Sequence, residues 1–256
     1  MTHCRIAAVP VLTTVALALS LACAPPARAA TSGSVALTSD YLFRGVSQTA
    51  TDPALQAGVE YSTDSGFYVG AWGSNISWLS DLSTPDASIS SSLEFDVYVG
   101  WRHPLGEHAA LDVGAIGYFY PGDFPDGFNS ADTGELYAAL NFTPSQTTTV
   151  GAKASYVVTD LFGYADSDGS SYVEVNAGWQ FHPGWTAAAH AGHQWIAHNG
   201  DFDYAEWRVG LTRAFDNGFS VAAAWNDTDA DRALYTNPQG DHLADGAWTL
   251  TLAKAF

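Results

Sequence analysis

Cysteine is almost missing from this chain of 256 residues: there are two, Cys4 and Cys23, both near the start. If that stretch is removed, no disulfide framework can form. Basic residues are scarce as well, 9 Lys and Arg against 27 Asp and Glu, for a formal net charge of -18. Nucleic acid is thereby excluded as a partner, since its binding is dominated by basic contacts to phosphate. Past residue 29 there is no run of about 18 apolar residues, so no transmembrane helix is encoded there. What the chain does have is 47% hydrophobic and 13% aromatic residues and 24 glycines.

The first 29 residues read as a secretory signal that is removed. Arg5 precedes an apolar run over 6–22, and Ala27-Arg28-Ala29 supplies a small-x-small cleavage site. The rival is a lipoprotein signal acylated at Cys23, preceded by Ser20-Leu21-Ala22. Every acidic residue lies beyond position 30; loss of Arg5 and Arg28 takes nine basic residues to seven against 27 acids, a net charge of -20.

From residue 32 the sequence alternates apolar and polar with the two-residue period of strands, not the 3.6 of helices. Twelve segments are predicted: 33–44, 54–62, 67–74, 93–102, 110–120, 135–142, 148–157, 171–181, 185–194, 204–213, 219–226 and 247–256. The connections between them are short and long by turns. An even number of ten-residue strands with that alternation predicts an all-β fold: a single antiparallel up-and-down transmembrane barrel over 30–256, with short periplasmic turns and longer extracellular loops.

A soluble sandwich alternates too, so the choice rests on where the aromatics stand. On the apolar face they collect at segment ends: Tyr61, Phe67, Trp101, Phe142, Trp179, Phe181, Trp185 and Phe219 toward the short turns, and Tyr41, Phe43, Phe119, Tyr156, Trp225 and Trp248 toward the long loops. Aliphatic residues fill the middles. Two aromatic girdles around an aliphatic belt predict a lipid-facing surface in the bacterial outer membrane, in contact with outer-membrane lipid and lipopolysaccharide.

The other face is then the lumen. It carries Asp40, Glu60, Glu94, Asp96, Asp112, Glu135, Glu174 and Glu206 against Arg44, Arg102, Lys153 and Arg208, and many glycines that leave room or permit bending. The final Phe256 on an alternating segment resembles the signal by which the barrel-assembly machinery recognises its substrates.

The segment 39–48, Ser-Asp-Tyr-Leu-Phe-Arg-Gly-Val-Ser-Gln, with Pro53-Ala54-Leu55-Gln56 and Ser65-Gly66-Phe67-Tyr68-Val69-Gly70-Ala71-Trp72, resembles the N-terminal signature of the TorF family of porins. Residues 94–101, the Tyr120-Pro121-Gly122 turn and Phe256 extend the resemblance over most of the chain. It implies a Gram-negative outer-membrane protein with porin activity, and no catalytic residues. Asp40 and Arg44 fall within the motif, four residues apart on the expected lumen face of the first strand.

Catalytic and metal chemistry find little support. No His has a Ser two places away, and there is no G-x-S-x-G elbow. His190 and His193 point to opposite faces of a strand, so no metal site is predicted from them. Loop aspartates 123, 126 and 132, 160, 166 and 168, and 227, 229 and 231 lack the full spacing of a calcium loop, and are expected to keep the exterior solvated. Neither cofactor nor metal is expected. Eight lumen acids against four bases predict a channel for small hydrophilic solutes that prefers cations. The competing reading is a filled structural or adhesive barrel whose acidic loops bind an extracellular partner or divalent cations.

Overall fold

The computed structural model describes residues 29–256; residues 1–28, with both cysteines and nearly all of the expected signal, lie outside the described residues. Fourteen strands follow one another: β1 (Ala30–Thr38), β2 (Leu42–Phe43), β3 (Val46–Ser47), β4 (Ala54–Ser62), β5 (Phe67–Asn75), β6 (Leu93–Pro104), β7 (Ala109–Phe119), β8 (Thr133–Ser145), β9 (Thr148–Val157), β10 (Ser171–His182), β11 (Trp185–Trp195), β12 (Tyr204–Ala214), β13 (Phe219–Thr228) and β14 (Ala247–Ala255). Twelve close an antiparallel barrel in chain order, with β1 paired to β4 on one side and β14 on the other. β2 and β3 pair only with each other.

Alternation decides which way each strand faces. In β6, Glu94, Asp96 and Tyr98 are buried while Leu93, Phe95, Val97 and Val99 are exposed. Closure gives the ladder no free edge, so backbone donors and acceptors are satisfied within the wall. The exposed set on neighbouring strands, such as Leu55, Val69, Leu136, Val175, Val209 and Leu250, makes a continuous apolar outer surface. In water that surface would cost about 25 cal/mol for each Å² exposed; against hydrocarbon the cost vanishes.

The turns at one end are tight. Gly66 takes φ +90 between β4 and β5, and a Cβ there would lie 2.2 Å from the carbonyl oxygen of Arg102. At the other end the connections are long and carry two short 3-10 turns, Ser80–Leu82 and Gly200–Phe202.

The first predicted strand is the exception. Expected over 33–44, it leaves the wall after Thr38, and residues 39–53 fold back into the barrel around the β2/β3 hairpin. The turn residues Arg44 and Gly45 both have positive φ, 48 and 80, the pair of values that a two-residue type I′ hairpin requires. Tyr41 and Phe43, expected on the outer surface, are instead buried inside, 2% and 9% exposed. Asp40 and Arg44 are not a pair on a strand face either.

Candidate functional site: the lumen and its inward hairpin

The hairpin crosses the lumen near the long-loop end and is fastened at tip and base. At the tip, Arg44 donates from Nη2 to Glu135 Oε2 of β8 at 2.7 Å and from Nη1 to Gln194 Oε1 of β11 at 2.7 Å. Its guanidinium also lies 4.1 Å from the ring centre of Tyr172 on β10. Gly45 abuts β12 and β13, where a Cβ would come within 2.6 Å of Thr228 and 2.9 Å of Glu206. At the base, Asp40 Oδ1 accepts from Ser47 Oγ at 2.6 Å and Thr49 Oγ1 at 3.1 Å. Burial outweighs those bonds and holds the Asp40 carboxyl above the usual aspartate range.

The apolar side of the hairpin meets the inner face of β5 to β8. Tyr41 packs edge-on against Trp72 at 5.4 Å, and Phe43 against Tyr118 at 5.6 Å and Phe162 at 5.5 Å. Loop residues Ile76, Leu79 and Ile89 join this cluster from above. Lower on the same wall, large rings lie over glycines of the next strand. Gly70 faces Tyr98, Gly100 faces Tyr68 and Gly114 faces Tyr137 in register, and a Cβ on any of the three glycines would come within 2.2–2.5 Å of the facing ring or its hydroxyl. These glycines were expected to make room between charges; they seat tyrosines.

The twelve expected lumen residues divide by company. Arg102 grips Glu60 through two bonds of 2.6 and 3.0 Å, meets Asp112 at 3.2 Å, and lies 3.7 Å from the Tyr68 ring centre. Tyr68 donates to Asp112 at 2.5 Å and shares a short bond with Tyr137. Glu206 Oε1 meets His190 Nε2 at 2.6 Å and accepts from Tyr172 at 2.5 Å. Glu174 stands opposite Lys153 in the β9/β10 register, and Lys153 lies 4.9 Å from the Tyr137 ring centre. Glu94 accepts from Tyr41 at 3.2 Å, yet Glu94 Oε2 and Asp96 Oδ1 have no hydrogen-bond partner among the described residues.

Arg208, on β12, differs from the other lumen arginines: among the described residues it makes no hydrogen bond or ion pair, and it lines a cavity of about 60 Å³. The cavity sits between the hairpin stem and the inner face of β11 to β14 with β1 and β4. Sequence reasoning named Arg208 as a lumen residue without foreseeing its place in this wall, and did not foresee that Gln194 would hold the hairpin. Tyr68, Tyr118, Tyr137 and Tyr172 were missed as organising residues; for Tyr68 and Tyr137 the signal was a glycine in register on the next strand, Gly100 and Gly114.

On the outside, Tyr61, Phe67, Phe119, Phe142, Tyr156, Trp179, Phe181, Phe219 and Trp248 are exposed, and Trp101, Trp185 and Trp225 are partly so. Trp101 Nε1 donates to Ser65 O at 3.0 Å at the short-turn end, and Trp225 lies tilted against Trp248, ring centres 5.7 Å apart, toward the long loops. Lys254, an odd charge on this face, reaches back to Asn217 O with its ammonium 5.2 Å from the Phe219 ring centre. Phe256 exchanges backbone hydrogen bonds with Gly33 of 2.9 and 3.0 Å, and its ring covers that glycine. Several loop aspartates bind local backbone: Asp160 accepts from Ser167 N, Asp132 from Tyr120 N and Asp229 from Ala205 N.

Known structures share this architecture. The KdgM porin aligns with 88% of this chain and 98% of its own at a TM-score of 0.56 and 8% identity. The NanC porin aligns with 89% of this chain and 99% of its own at 0.56 and 11%. The COG4313 outer membrane channel from Pseudomonas putida F1 aligns with 91% and 97% at 0.51 and 14%. At such identities the likeness is one of fold. No curated protein matches the chain. A family model, described as a bacterial protein of unknown function (Gcw_chp), matches residues 23–256, and the chain belongs to that family.

Proposed function

We propose that this chain is a bacterial outer-membrane channel for passive diffusion of small hydrophilic solutes. One observation carries the reading: a closed twelve-strand barrel with an apolar exterior and an interior lined by ionisable side chains. That inversion fits a lipid surround and a wet lumen. The porin architecture of KdgM and NanC and the TorF resemblance of 39–48 support it. The reading requires export, with 1–29 removed as a signal and 30–256 assembled through a C-terminal strand ending in Phe256. Outer-membrane lipid and lipopolysaccharide are the surroundings this exterior fits. It assigns no catalytic role to any residue.

A cation preference is the finer part of the proposal. Most wall carboxylates are engaged by Arg44, Arg102 or His190, so the preference rests on the acidic long loops that meet a solute first. A second reading, a filled structural or adhesive barrel, is favoured by the aromatic packing of hairpin against β5 to β8. Planar bilayers separate the two. The channel gives discrete conductance steps and a cation-side reversal potential in a salt gradient. Folded protein that gives no steps, and no liposome swelling with small sugars, sinks the channel and leaves the filled barrel.

A further inference from the structure

A side chain that points into a closed barrel can meet water only in the lumen, so its exposure reports the free space beside it. On β11 to β14 the register sets Ala188, Gly210, Ala224 and Thr249 in one inward row, alternating with Val209, Leu211 and Leu250 on the exposed exterior. All four inward residues are partly exposed. Across the barrel the row Trp72, Asp96, Tyr118 and Thr133 also faces inward, and every member of it is buried.

The hairpin accounts for the difference. Its Tyr41 ring lies against Trp72 and its Phe43 ring against Tyr118, which seats it on β5 to β8. Asp40, Tyr41 and Leu42 then form the near side of the cavity whose far side is the β11–β14 wall. Along β12 that wall runs from Arg208 to Thr212, about 13 Å at roughly 3.3 Å per residue. Its polar groups are engaged with one another: Thr38 donates to Asp40 O at 2.9 Å, Thr251 to Thr38 Oγ1 at 3.0 Å and Asn226 to Thr249 Oγ1 at 3.2 Å. Arg208, toward the long loops, has Glu206 and Glu174 as electrostatic partners. Such a wall has few donors to spare for a solute, and conduction needs contacts weak enough to release what enters.

We propose that solutes pass the hairpin on this side alone, between its stem and the β11–β14 wall, and that Ala188, Gly210 and Ala224 set the size of what passes. This path rests on the channel reading and gives it a location and a size filter. A larger side chain at any of the three positions narrows the gap, whereas the buried half of the lumen offers no alternative route.

Cysteine substitution tests the path, because residues 29–256 contain no cysteine. Ala188→Cys and Ala224→Cys place a thiol in the cavity, and Ser74→Cys and Ser155→Cys place one at buried inward positions on β5 and β9. Each change adds or exchanges one heavy atom. A trimethylammonium methanethiosulfonate applied to the folded barrel labels the first pair, read by mass, and lowers single-channel conductance by about half or more. The second pair stays unlabelled and conducts as before. Independently, Ala188→Leu with Ala224→Leu lowers the size of the largest sugar that swells liposomes, while the folded band on an unheated gel is retained. Equal labelling of both pairs, or conductance and size limit indifferent to the changes in the cavity, overturns the path and leaves the channel standing. No conductance from the unmodified folded protein overturns the channel, and the path with it.

Discussion

The two halves of the barrel wall solve the same problem in opposite ways. From β5 to β8 the inner face carries Tyr68, Trp72, Tyr98, Ile116, Tyr118 and Tyr137, and the space is filled by rings laid over glycines and by the hairpin. From β11 to β14 it carries Ala188, Gly210, Thr212, Ala222, Ala224, Thr249 and Thr251, and the space is left as a chamber. Outside, the halves are alike: both present an aliphatic band between aromatics. Filled and open space are thus assigned to different strands, while the apolar exterior constrains all of them equally.

The largest break in that contrast comes from Arg44. Replacing it with Ala leaves Glu135, whose side chain is fully buried, without its cation, at a cost of about 3–5 kcal/mol. The hairpin then loses its far anchor. Single-channel conductance is expected to rise several-fold and the urea midpoint of the folded band on an unheated gel to fall; unchanged conductance would place the constriction elsewhere.

Adding volume sharpens the contrast next. Gly100→Val drives a side chain into the Tyr68 ring and the carbonyl of Val113, costing roughly 1–3 kcal/mol. Ala224→Val on the open half changes stability by no more than about 0.5 kcal/mol, since it projects into the chamber. Equal losses in the urea titration would mean that the halves are packed alike. Tyr68→Phe removes the donor to Asp112 and is expected to cost about 1–2 kcal/mol.

The smallest effect concerns pH. Because the folded protein holds Asp40 above its ordinary range, that group's contribution is complete below the usual aspartate pKa and fades as pH rises through the elevated value. Asp40→Asn flattens that portion of the stability profile between acid and neutral pH. A variant whose profile overlays the parent shows that Asp40 is not the group responsible.

How much of this was legible depended on whether two faces met different solvents. Strands β4 and β9 fall within the residue limits expected from alternation, because each side chain there faces either the exterior or the lumen. Alternation misled at 39–44 for a physical reason: Tyr41 and Phe43 are apolar to suit a core inside the barrel, and the period is blind to which apolar environment they enter. The contrary sign was local, Ser39-Asp40 as a break and Arg44-Gly45 as a hairpin turn. Which charges pair with which was beyond one-dimensional reading, since Arg44 reaches Glu135 across 91 positions and the lumen's width.

The seam between β1 and β14 sets the order of events during folding. Every other wall contact joins strands that follow one another along the chain, separated only by a turn or loop, but Ser34 meets Ala255 across 221 positions. Such a pairing carries the greatest loop-closure cost in the molecule and slows folding accordingly. Until that last ladder forms, the sheet has two open edges and an apolar face with no solvent to suit it. On the channel reading the chain travels unfolded and closes only at its destination, and keeping it from aggregating on the way is then a requirement of its topology.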